Sequence, residues 1–193
     1  MVVLPTPLQD PAPLLARTYA QWQQQGGDLW IFGYASLMWR PDFDCIEQRP
    51  ALLHGWHRAL KMWSHVNRGT PECPGLVFCL LSGGSCRGMT LRVAQAQVPQ
   101  VLPALWQREM PLAVYEARWL PCQTAQGTVT ALAFTLSRQS PFYTGVLSDA
   151  QYRQIFAQAR GSYGTTLDYA RATYDELQRL GIQDRALGRL MLL

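Results

Sequence analysis

The sequence predicts an α+β domain built round a mostly antiparallel sheet or small barrel. Three observations predict it. Apolar periodicity along the chain runs helix, strands, helix, strands, helices, with no internal repeat, linker or low-complexity tract. The 193 residues are 48% apolar and 11% aromatic, which suits one compact core and leaves little room for two. Glycine and proline pairs punctuate the apolar runs where short strands need turns.

Each element follows from local chemistry. Asp10-Pro11 is a cap and first-turn pairing, and Gly26-Gly27 closes a helix that carries Leu14, Leu15, Tyr19 and Trp22 at helical spacing. LWIFGY (29–34) is a short apolar run that suits a buried strand, and it ends in the small residues Ala35 and Ser36. Gly55 argues against a helix interior in 50–64, so that run is expected as a strand. Pro74-Gly75 opens LVFCLL, and Gly83-Gly84 is expected to turn into CRGMTLRV as a hairpin. Residues 99–109 return to helical spacing (Val101, Leu102, Leu105, Trp106), and Pro111 disfavours α geometry at Met110, so this helix should stop near Glu109. VYEARWL (114–120) and VTALAFTL (129–136) read as two strands joined by a Gln-Gly turn at 126–127. Ser148-x-x-Gln151 is a capping box for a helix with Gly161 as its stop. Thr165-x-x-Asp168 opens a second helix that Gly181 ends, and Asp184 can cap a third. The expected organisation is an N-terminal helical extension over 1–27 and one domain over 28–193.

Composition narrows the function classes. Seventeen basic and thirteen acidic side chains give +4, and all the basic residues except Lys61 are arginines scattered from Arg17 to Arg189. A nucleic-acid groove needs basic residues concentrated on one face, so no nucleic-acid partner is expected. No stretch reaches the roughly 18 uninterrupted apolar residues of a membrane span. The N-terminus has no basic n-region before its proline-broken apolar residues, unlike a signal peptide. Five cysteines without a C-x-x-C pair give neither a disulfide framework nor a zinc knuckle. His54, His57 and His65 have no carboxylate or cysteine at ligand spacing, so no metal is expected. No G-x-S-x-G elbow supports a serine nucleophile. A soluble protein of the reducing cytoplasm is the expectation.

Two places carry chemistry. In Phe32-Gly33-Tyr34-Ala35-Ser36-Leu37, Gly33 permits close approach, Ala35 and Ser36 leave the backbone uncovered, and Ser36 adds a hydroxyl. Such a nest can hold a carboxylate or an oxyanion, although an ordinary strand-to-loop corner has the same residues. Most of the thirteen carboxylates are helix caps, ion-pair partners or polar loop residues. Glu116, alternating with Arg118, reads as half of a surface pair. Glu109 differs, because it ends an apolar helix at the negative pole of the macrodipole among Leu105, Trp106 and Met110. Both effects raise its pKa and suit it to accept a proton near neutral pH; pairing with Arg108 or snorkelling to water is the structural alternative.

The chain resembles the ChaC-like γ-glutamylcyclotransferases from about Leu29 to Leu190. The resemblance rests on five ordered motifs: LWIFGYASLMWRPDF, RGTPECPG at 68–75, the pair Arg108-Glu109, Phe142-Tyr143-Thr144-Gly145, and ARGSYGTTLDYARATYDELQRLGIQD. It implies a γ-glutamylcyclotransferase-like α+β fold, a small mostly antiparallel β-barrel flanked by helices. The implied activity releases 5-oxoproline and Cys-Gly from glutathione without metal or organic cofactor. A monomer or weak dimer is expected. In such enzymes the loop matching Ile31, Phe32, Gly33, Tyr34, Ala35 and Ser36, with Leu37 adjacent, binds the γ-glutamyl group. The proton-accepting glutamate falls on Glu109, and Arg68 and Tyr143 look like substrate-pocket residues. Ala35 stands where glycine is usual, and Asn67 where histidine is expected. Alternatives are a cyclotransferase for another γ-glutamyl amine or amino acid, and a non-catalytic small-molecule or RNA-binding module on the same scaffold.

Overall fold

A computed structural model describes residues 9–193. The first eight residues of the expected extension lie outside the described residues. The chain forms two compact units: one holds residues 9–57 and Ser82–Thr135, the other Arg58–Leu81 and Leu136–Leu193.

The first unit carries the barrel registers. Helix α1 (Pro11–Gln25) begins where the Asp10 side chain accepts the Ala12 amide, and it ends at Gly26 with φ 69°. Strand β1 (Leu29–Gly33) leads into the single turn of α2 (Ser36–Trp39). Two long strands follow, β2 (Glu47–Ser64) and β3 (Gly75–Val93), and each contributes a part to both units. Helix α3 (Val98–Glu109) precedes the hairpin of β4 (Glu116–Thr124) and β5 (Gly127–Thr135). The strands close a barrel in the order β1-β3-β2-β4-β5. Leu29–Gly33 pair antiparallel with Met89–Val93, and β4 pairs antiparallel with β5. Ile31 opposite Leu132 closes the ring with a parallel contact between β1 and β5. Leu29, Ile31, Phe32, Leu91, Leu102, Leu132 and Phe134 are buried in this unit. Helix α1 is tied there by indole N–H donors: Trp106 Nε1 donates to Pro11 O at 2.9 Å and Trp119 Nε1 to Gln21 Oε1 at 3.0 Å.

The second unit holds α4 (Asp149–Gln158), the short ribbon of β6 (Arg160–Gly161) and β7 (Gly164–Thr165), α5 (Thr166–Arg179) and α6 (Arg185–Leu190). Its caps follow the sequence. Ser148 and Gln151 form the reciprocal capping box, Thr165 accepts from the Asp168 amide, and Asp184 accepts from the Leu187 amide. Leu76, Phe78, Leu80, Tyr152, Phe156, Tyr169 and Leu177 are buried there.

Three local expectations need correction. The chain does not reverse at Gly83-Gly84; β3 runs on through both residues, which take φ 97° and 72°. Positive-φ glycines can bend a strand as well as end one, and His57 Nδ1 lies 2.8 Å from Gly83 O at this bend. Gly161 does not stop α4, which ends at Gln158. It lies in β6 opposite Gly164, where a Cβ would come within 2.4 Å of Val66 O, so close backbone approach and not a helix stop requires glycine there. The hairpin turn falls on residues 125–126, one position early, and β4 begins at Glu116 rather than Val114.

Candidate active site

Gly33 ends β1 opposite Met89, and a Cβ on the neighbouring Gly88 would lie 2.4 Å from Gly33 O. The barrel thus brings two backbones together where the strand passes into α2. Ile31 and Phe32 are wholly buried, so their side chains are core and only their backbone is available to a ligand. Tyr34 is held by its hydroxyl, which donates to Phe134 O at 3.0 Å. Ala35 has φ −146°, so the position does not use the left-handed φ that would demand glycine. Ser36 and Leu37 start α2, where no acceptor among the described residues takes their amide hydrogens.

Glu109 is the last residue of α3, with 16% of its side chain exposed. Burial pushes its carboxyl above the ordinary range. The charge and hydrogen bond of Arg108 pull it back; Asp42 adds to the rise and Arg40 opposes it. Arg108 Nε lies 3.0 Å from Glu109 Oε1, while its Nη2 donates to Ser36 Oγ at 3.1 Å. One guanidinium therefore joins the acid to the loop. The Ser36 oxygen is the acceptor, which leaves its hydroxyl hydrogen to donate elsewhere.

The two structural readings of these segments and the chemical ones coexist. Glu109 does pair with Arg108, yet it stays largely enclosed with a raised pKa. Glu116 pairs with Arg118 at a half-exposed position and has no comparable burial. The histidines make contacts of their own, His54 with Gln123, His57 with Gly83 O, and His65 edge-on with Phe142. Among the described residues no three of His, Cys, Asp and Glu cluster as metal ligands, and no helix is long and apolar enough to cross a membrane.

A family model described as ChaC-like protein matches residues 29–193. The chain belongs to the ChaC-like family. Among its relatives, the glutathione-specific gamma-glutamylcyclotransferase of Escherichia coli (strain K12) is 35% identical over 86% of this chain and 72% of that protein. Glutathione-specific gamma-glutamylcyclotransferase 1 of Homo sapiens is 32% identical over 93% of this chain and 82% of that protein. The fold matches the crystal structure of a yeast gamma-glutamyl cyclotransferase specific to glutathione, with a TM-score of 0.78 at 17% identity over 86% of this chain and 95% of that one. The α+β barrel expected from the sequence is thus the fold of this ChaC-like chain.

Its remaining expected site residues, Arg68 and Tyr143, belong to the second unit. Arg68 is buried, with its guanidinium 4.7 Å over the Tyr169 ring and Nη1 donating to Tyr163 O. Tyr143 bridges to Met62 and its hydroxyl accepts from Arg138 Nη1 at 3.0 Å. At Asn67 the backbone oxygen accepts the Tyr163 amide at 2.9 Å, a contact that any side chain permits. In the sequence Arg108 stands out only through its pair with Glu109, and Asp42 is one carboxylate of a polar loop. The one local signal for Asp42 is its positive φ of 59°, which no sequence pattern announces.

Proposed function

We propose that this chain is a glutathione-specific γ-glutamylcyclotransferase in which Glu109 is the general base. The observation that carries the reading is the largely enclosed carboxylate of Glu109 joined through one guanidinium to the loop that starts α2. The substrate's α-amine attacks its own γ-amide carbonyl carbon. A C–N bond forms within a five-membered ring and the bond to the cysteinyl nitrogen breaks. The amine reaches the site as an ammonium, which has no lone pair to attack with, so a base must first take its proton. A carboxylate with a raised pKa suits that task and can hand the proton to the departing nitrogen. Both reacting groups sit in one molecule, so alignment supplies much of the acceleration, about 7–11 kcal/mol in favourable cases. The amides of Ser36 and Leu37, on the loop that runs from Gly33 through Tyr34 and Ala35, serve the substrate carboxylate or the tetrahedral oxyanion. Arg68 and Tyr143 are read as substrate-pocket residues from their motifs. No protein nucleophile takes part.

Sequence similarity to enzymes named for glutathione supports that substrate. Cysteines that form no disulfide among the described residues support a reducing, cytoplasmic setting, and the scattered arginines speak against a nucleic-acid partner; the chain is read as a monomer or weak dimer. The family match beginning at residue 29 supports treating 1–27 as an extension to a domain over 28–193.

The test is incubation with glutathione, following 5-oxoproline and Cys-Gly by mass spectrometry, beside γ-glutamyl donors that lack the Cys-Gly portion. Release from glutathione and loss of release in Glu109→Gln are expected. Near-normal turnover by that variant would remove Glu109 from the role. Turnover confined to other donors would reassign the substrate.

A further inference from the structure

We propose that Arg108 is a positioning residue of this site, whose guanidinium clamps both ends of α2 onto the carboxylate of Glu109. The inference rests on the cyclotransferase reading above and deepens it. Its geometry is that of a fork with every prong used. Nε faces Glu109 Oε1 at 3.0 Å, and Nη2 donates to Ser36 Oγ at 3.1 Å, at the start of α2. Nη1 faces Arg40 O at 2.6 Å, Pro41 O at 3.0 Å and Asp42 Oδ2 at 2.7 Å, just past the end of α2. Carbonyls that leave a helix end are natural acceptors for a cation. One side chain thereby fixes the distance between the base and the loop amides, the two parts that must close on one substrate atom set. The planar guanidinium supplies five donors in fixed directions, which a lysine ammonium cannot reproduce.

The same contacts make Arg108 an electrostatic control on the base. The charged groups facing Glu109 are Arg108 on its own helix and Arg40 and Asp42 at the end of α2. Arg108 and Arg40 favour the carboxylate, whereas Asp42 and burial favour the acid. Removing the positive charge of Arg108 and removing the negative charge of Asp42 must therefore move the titration of Glu109 in opposite directions. A merely structural arginine would not produce that pair of shifts.

The experiment measures kcat and KM for 5-oxoproline release across pH in the full chain and in Arg108→Gln, Arg108→Lys and Asp42→Asn. In parallel, 13C NMR follows the Glu109 carboxyl through the same titration. Arg108→Gln is expected to lower kcat about 100-fold, the scale of an ångström misplacement, and to move the acid limb to higher pH. Asp42→Asn is expected to move that limb to lower pH, and asparagine accepts the left-handed φ at this position. Arg108→Lys should return the limb toward the parent without restoring kcat. Should Arg108→Gln fail to fold, the lysine and asparagine variants decide. An unchanged kcat with an unmoved limb, or shifts of the same sign in Arg108→Gln and Asp42→Asn, overturns the proposal. The NMR titration needs no turnover, so a parent chain that releases no 5-oxoproline sinks the enzymatic reading alone. An unmoved Glu109 titration in an active enzyme sinks this one.

Discussion

At Glu109, burial and neighbouring charge act against each other, and burial wins. Its folded pKa lies above that of the unfolded chain, so the folded state holds the proton more tightly. The stabilisation this gives is complete below the unfolded carboxylate range, at about pH 4, and is lost as pH rises through the folded pKa. Glu109→Gln removes the titration. The melting temperature of the variant should therefore fall less than that of the parent between about pH 4 and 7. Parallel melting curves across that window would contradict the burial of this acid. On the proposed mechanism activity runs the other way, because a base works only when deprotonated, and kcat should climb over the pH range in which Glu109 loses its proton. The acid itself was legible from its place at the end of an apolar helix before Met110-Pro111. Its engagement with Ser36 was not, because that contact passes through Arg108 across 72 residues of chain.

Among the elements, the junction of β1 with β3 is the tightest part of the site. A Cβ at Gly88 would sit 2.4 Å from Gly33 O and 3.0 Å from Phe32 Cζ, with backbone on one side and core on the other. Gly88→Ala must push β1 away, at a cost of about 1–3 kcal/mol as for other overpacked positions, and the loop that follows Gly33 should lose activity with it. Gly83→Ala makes a useful contrast. That glycine, unlike Gly88, has a positive φ, and nothing lies within 4 Å of an added Cβ. It should cost roughly 1–2 kcal/mol of backbone strain and leave turnover in place. Urea denaturation beside the glutathione assay separates the two; equal turnover in both variants would show that close packing at Gly33 is immaterial to the site. The sequence marks all these glycines alike. Whether one bends a strand, as Gly83 does, or admits a second backbone, as Gly88 and Gly161 do, depends on what the fold brings opposite it.

Over the molecule as a whole, thiol chemistry offers a check on a mechanism without a protein nucleophile. Burial pushes the Cys79 and Cys122 thiols up to about 12, and Cys86 is also buried, whereas Cys45 and Cys73 are partly exposed. Iodoacetamide at pH 8 should label Cys45 and Cys73, spare the other three and leave turnover intact. Mass spectrometry of the labelled chain reads the sites, and labelling of a buried thiol with loss of activity would argue for a cysteine in the chemistry. The sequence by itself determined the run of the main helices and strands apart from α2 and the β6-β7 ribbon, the caps at Asp10, Ser148, Thr165 and Asp184, and the place of Glu109 at the end of an apolar helix. Those features rest on contacts within a few residues, or on an apolar period that any helix or strand must obey. Only the tertiary structure decided that β3 continues through its glycine pair, that Ala35 keeps a negative φ, and that Arg108 grips both ends of α2. Each depends on which distant segment closure of the barrel sets alongside, and a linear pattern carries no record of that distance.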